Sequence, residues 1–149
     1  MRRLVRAARG GEWPEAEASG SLTLPFDHRS RRRMRMTTDQ GEPILLDLAQ
    51  PARLADGDGL ADEAGGWLRV LAAEEDVLEV SGGDACHSAR IAWHLGNRHL
   101  AVEVLPDGRL RLAYDHVIEH MLIGLGARCA RRLAPFQPEA GAYAHHDHG

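Results

Sequence analysis

Hydrophobic and polar positions change rhythm about midway along the chain. Up to about residue 73 they alternate in short runs separated by turn residues, which is the pattern of half-buried strands. Ser21-Leu22-Thr23-Leu24 alternates before Pro25, and Arg29 to Thr37 reads as extended, with Arg29, Arg31, Arg33 and Arg35 on one side. Asp39-Gln40-Gly41 supplies a turn before Ile44-Leu45-Leu46-Asp47-Leu48, and Ala55-Asp56-Gly57-Asp58-Gly59 another. Trp67-Leu68-Arg69-Val70-Leu71 is the last strand of this half. Sustained helical periodicity is missing, so a small antiparallel β domain, barrel or sandwich, is expected over residues 1–73.

From Ala73-Glu74-Glu75 onward the pattern alternates between strand and helix. Asp76 to Val80 reads as a strand. Asp84 stands where it can cap a helix from about Ala85 to Leu95, and Gly96-Asn97 ends it. His99 to Leu105 is the next strand, and Pro106-Asp107-Gly108 turns it into Arg109 to Ala113. Asp115 caps a second helix that reaches about Leu125, and Arg128 to Leu133 is the final strand. The order β-α-β-β-α-β is that of the ferredoxin-like split motif, expected over residues 74–138. Residues 139–149 lose periodicity and read as a short flexible tail. The fold class is therefore α+β.

Composition narrows the chemistry. The chain has 149 residues, with 44% hydrophobic but only 5% aromatic. Two small domains built on Leu, Val, Ile and Ala have thin cores and gain from burying a shared face in a dimer. Net charge is −4, which argues against a general nucleic-acid partner. All 18 basic residues are arginine, so lysine Schiff bases and phosphate-loop lysines are excluded. The arginines of residues 29–35 read as a solvated strand face paired with acidic neighbours. Cys86 and Cys129 lie too far apart for a C-x-x-C site. The basic N-terminus lacks the apolar run of a secretory signal and no stretch suits a bilayer span, so a cytoplasmic protein without membrane contact is expected.

Nine histidines change the picture. Three of them, His145, His146 and His148, fall in the last five residues, and His116 and His120 stand four apart. Without cysteine partners, that density points to nitrogen-liganded divalent metal. His116-Val117-Ile118-Glu119-His120 also matches the H-x-x-E-H pattern of inverted zinc proteases, so a zinc metallohydrolase with Glu119 as base is the alternative. The third ligand that such an enzyme draws from a long C-terminal helical region has no counterpart here. His87 and His94 read as solvated helical positions.

Three segments taken together resemble the UreE family of urease accessory proteins. They are Leu95-Gly96-Asn97-Arg98-His99, Tyr114-Asp115-His116-Val117, and Ala134-Pro135-Phe136-Gln137-Pro138-Glu139-Ala140-Gly141-Ala142-Tyr143 before a histidine-bearing tail. Leu22-Thr23-Leu24-Pro25-Phe26-Asp27 ahead of an arginine-rich strand is also similar to that family. The resemblance implies a peptide-binding-like N-terminal domain and a C-terminal domain that carries metal and forms a homodimer. It implies a non-enzymatic nickel carrier that works with the urease accessory GTPase and the urease pre-activation complex. Ni(II) is the implied cargo, and Zn(II) is the other cation that imidazoles accept. The family's central metal ligand falls on His99, its peripheral one on His116, and its variable extension on His145, His146 and His148. Many relatives have a further histidine where this chain has Tyr114, which leaves the peripheral pair incomplete.

Overall fold

A computed structural model of the chain describes residues 1–141. It is a mixed α+β protein with two sheets and two helices, and it divides into two compact units. The first runs from Met1 to Ala73 and the second begins at Glu74.

Six strands build the first unit: β1 (Arg2–Ala8), β2 (Ala18–Leu24), β3 (Arg33–Thr37), β4 (Pro43–Asp47), β5 (Gly59–Asp62) and β6 (Trp67–Ala72). They form one sheet in the order β2-β6-β5-β1-β4-β3. Their alternating apolar residues point to one face, where Leu4, Leu22, Ile44, Leu46, Leu60, Leu68 and Val70 are buried together. The expected all-antiparallel arrangement needs correction. β1 pairs with β4, and β2 with β6, in parallel, so the sheet is mixed. Side-chain alternation is the same for either direction, and direction is decided by non-local connections that period-two patterning does not encode.

The opposite face is covered locally by Trp13, which stacks on Trp67 with ring centroids 5.4 Å apart. Arg6 lies over Trp67 and Arg69 over Trp13. Gly59 is indispensable here, because a Cβ at that position would collide with the Trp13 indole. Arg29 departs from the expected solvated arginine face. His28–Ser30 is a 3-10 turn, and Arg29 is only 2% exposed. Its guanidinium donates to the Leu24 and Leu54 carbonyls. Arg33 does lie on the outer face and pairs with Asp47, as does Arg3.

The second unit contains β7 (Glu74–Ser81), α1 (Ala85–Asn97), β8 (Glu103–Val104), β9 (Leu110–Ala113), α2 (His116–Gly124) and β10 (Arg128–Pro135). Its strands form a second sheet in the order β10-β7-β9-β8, with every neighbouring pair antiparallel. Ile91 and Leu95 of α1, and Ile118 and Leu122 of α2, repeat at i, i+4 and bury against Leu78, Val80, Leu110 and Leu112. Both helices therefore pack on one face.

Glu79 lies on the other face and is almost fully buried. Its carboxylate meets Arg109 and Arg111 at 2.7 Å each and Arg132 at 3.5 Å. Beyond β10 the chain does not leave the sheet at once. Arg111 donates to the Pro135 carbonyl, the Gln137 N–H donates to Glu103, and the Glu139 N–H donates to the Val102 carbonyl. Phe136 is 3% exposed. The segment thus forms a strap from β10, at one edge, to β8 at the other. Among the described residues, no helix is long and apolar enough to cross a membrane.

Candidate metal centre

The position of His99 follows from how α1 begins and ends. Asp84 caps the helix, its carboxylate accepting the His87 N–H at 2.7 Å. At the other end the His99 N–H donates to the Gly96 carbonyl at 3.0 Å, and the Leu100 N–H to the Leu95 carbonyl at 3.3 Å. Those two bonds form a Schellman motif, whose usual hydrophobic contact joins Leu95 and Leu100, members of the same core.

In such a motif the residue after the cap must enter the left-handed region, and His99 does so at φ 58°. It is the one non-glycine residue at positive φ among the described residues. The second helix shows what the position normally takes. There Gly126, at φ 82°, donates to the Ile123 carbonyl, and Ala127 donates to Leu122. His99 is therefore not the first residue of a strand, as alternation suggests; β8 begins only at Glu103. An exposed imidazole is held in a costly backbone conformation where glycine would relax it.

His116 opens α2 and is exposed. Asp115 caps this helix by accepting the Val117 and Ile118 N–H groups. Tyr114, two residues before His116, is built into a structural cluster. Its hydroxyl donates to Glu119 at 3.0 Å, and Arg131 lies 3.7 Å over its ring while pairing with Asp76. The Glu119 carboxylate pushes the Tyr114 phenol up and keeps its proton on. Glu119 is thus occupied by Tyr114 and does not stand as a base between His116 and His120. Among the described residues, no three His, Cys, Asp or Glu side chains converge on a common point. His99 and His116 therefore belong to no group of three such side chains among the described residues. His145, His146 and His148 lie outside the described residues.

One feature escapes sequence reasoning. His87 is half-buried and braces the two helices, accepting the Gly83 N–H at Nδ1 while Nε2 lies 2.8 Å from the Leu125 carbonyl. Its spacing from Asp84 was legible, but its distant partner was not. Burial pushes the Cys129 thiol up, so that residue is a poor thiolate ligand.

The full length of the chain matches known sequences. Residues 1–73 match the UreE urease accessory protein, N-terminal domain, and residues 75–149 match the UreE urease accessory protein, C-terminal domain. The chain belongs to the UreE urease accessory protein family. The "Urease accessory protein UreE" of Bradyrhizobium sp. (strain ORS 278) is 48% identical over 151 residues, covering 100% of this chain and 71% of the relative. That of Bradyrhizobium sp. (strain BTAi1) is 47% identical over 148 residues, covering 99% and 71%. A third, from Rhodopseudomonas palustris (strain BisB18), is 47% identical over 141 residues, covering 91% and 66%. UreE proteins are accessory proteins and not enzymes, and this member is one of them. The H-x-x-E-H match at His116 is accordingly a chance motif.

Proposed function

We propose that this UreE-family protein carries Ni(II) for assembly of the urease active site, and that a homodimer shares one nickel ion between two copies of His99. The observation that carries this reading is the exposed imidazole at φ 58°, mounted where the fold prefers glycine. One imidazole holds a divalent ion poorly. A twofold axis beside residue 99 doubles the ligand without any change of sequence, because an isologous interface brings each residue near its own copy. Imidazole nitrogen suits nickel, and binding releases the proton of any imidazolium, so acid favours release.

Pairing of copies is supported by apolar residues left uncovered on the helices: Trp93, Val117 and Ile123 are 63%, 60% and 57% exposed. His145, His146 and His148 complete the coordination, and His116 forms a weaker peripheral site, since Tyr114 is committed to Glu119. The second unit is the metal-binding and dimerisation domain, of ferredoxin-like architecture, and the first is a peptide-binding-like domain. Delivery takes place in the cytoplasm, to the urease accessory GTPase and the urease pre-activation complex.

Calorimetric titration of Ni(II) into wild type and His99→Ala tests the reading. Loss of the tight site is expected. Unchanged affinity and stoichiometry would refute it.

A further inference from the structure

We propose that His116 and His120, one turn apart on the outward face of α2, form a two-imidazole clamp for a divalent late transition-metal ion, one ion per chain. The clamp rests on the reading of His116 as a peripheral nickel site and deepens it by naming the second ligand of that site. It needs neither His99 nor a second copy of the chain.

Both histidines lie within α2, which runs from His116 to Gly124. Asp115 fixes the first turn: its carboxylate accepts the Val117 and Ile118 N–H groups, and its carbonyl accepts the Glu119 N–H at 2.9 Å. His116 is thus held in helical geometry although it opens the helix. Ile118 and Leu122 turn into the core, while His116 and His120 are exposed. Residues four apart on an α-helix are offset by about 6 Å along the axis and by about 40° around it, with Cβ atoms about 5–6 Å apart. Two imidazoles at that spacing can each place a ring nitrogen about 2.0–2.1 Å from one ion, as the paired histidines of helical zinc sites do. Water fills the remaining positions. Among divalent ions, imidazole suits nickel, copper and zinc.

The pair also stands apart from the other helical histidines. His87 accepts from the Gly83 N–H and lies 2.8 Å from the Leu125 carbonyl, and the His94 ring packs edge-on against Trp93. Neither His116 nor His120 has a side-chain partner of this kind among the described residues. Glu119, the one carboxylate between them, is held by the Tyr114 hydroxyl, so the site gains no base and its chemistry is binding alone. Both rings face water and lose rotational freedom when an ion binds. The clamp therefore fills only at Ni(II) concentrations well above those that fill the site at residue 99.

The test is a calorimetric titration of Ni(II) into the full chain with His99, His145, His146 and His148 replaced by alanine, so that no proposed ligand outside α2 contributes. One ion per chain is expected. Adding His116→Ala or His120→Ala should weaken binding at least about tenfold, because the second imidazole no longer binds intramolecularly. A spacing control, His120→Ala with Ile123→His, keeps two histidines on one face but about 10.5 Å apart along the helix, and should bind as weakly as His120→Ala. In the starting variant, diamagnetic Zn(II) should shift the ring-nitrogen resonances of His116 and His120 in step, with a single midpoint. Far-ultraviolet circular dichroism checks that each variant is folded. Loss from His116→Ala with none from His120→Ala overturns the clamp and leaves a peripheral site at His116 standing. No loss from either, or no binding in the starting variant, overturns both. Full binding by the spacing control, or separate midpoints for the two rings, overturns the clamp as well.

Discussion

Replacing His99 by glycine should make the protein more stable than replacing it by alanine, the reverse of the usual order. Both substitutions remove the imidazole and everything it touches, so their difference reports on the backbone alone. An L-residue in the left-handed region costs about 1–2 kcal/mol, and His99 sits there at φ 58°. Glycine escapes that cost but loses roughly 0.5–1 kcal/mol through its greater freedom in the unfolded chain. The balance favours glycine by about 1 kcal/mol, or about 4–8 °C in melting temperature for a domain of 60–100 residues. Asparagine, which tolerates this conformation better than other non-glycine residues, should fall between them. The assay is a thermal melt by circular dichroism at fixed protein concentration, with chelator present so that metal linkage does not enter. Equal melting temperatures, or a more stable alanine variant, would show that residue 99 is not held left-handed and that the cap geometry is wrong.

Three further outcomes follow from the packing. Glu79→Gln leaves Arg111, at 13% side-chain exposure, facing a neutral amide, and should cost about 3 kcal/mol in urea unfolding; a loss under 0.5 kcal/mol would mean that the arginine cluster is not tied to that carboxylate. Burial pushes Glu79 up, but its hydrogen bond with Arg111 and the charges of Arg111, Arg132 and Arg109 more than reverse this, and its carboxyl lies below the ordinary glutamate range. Its stabilising contribution is then complete above the unfolded-state pKa and disappears as pH falls through the lower folded-state value, so the slope of stability against pH on the acid side should shrink in Glu79→Gln. Gly59→Ala should expel Trp13 from its stack on Trp67, read as a red shift and quenching change in tryptophan fluorescence, with the second unit's helical circular dichroism unchanged.

Much of this fold can be read from local pattern, and the exceptions share a cause. Asp84 and Asp115 are legible as caps because an N-cap acts on N–H groups two or three residues away. The β8–β9 turn is legible for the same reason, with Gly108 at φ 88°. Arg29 is not legible from pattern, because an alternation of arginines looks the same whether a residue faces water or, after a 3-10 turn, faces two buried carbonyls. The four-residue strand Gly59–Asp62 is too short and too rich in turn residues to register as alternation. His99 reads as a strand residue since no glycine marks the left-handed position, although the Leu95 and Leu100 pair, five apart, is the signature of that cap. The strap past Pro135 shows no periodicity, because its bonds run singly to Glu103, Val102 and Arg111. Local chemistry survives in sequence; partners thirty residues away do not.

Native mass spectrometry of the His145→Ala, His146→Ala, His148→Ala variant, titrated with Ni(II), tests the shared-ligand claim most directly. The account predicts a dimer that takes up one ion, held less tightly than by the wild type, and the loss of that ion when His99→Ala is added. Two equivalent ions per dimer, or an ion retained by a monomer, would contradict it.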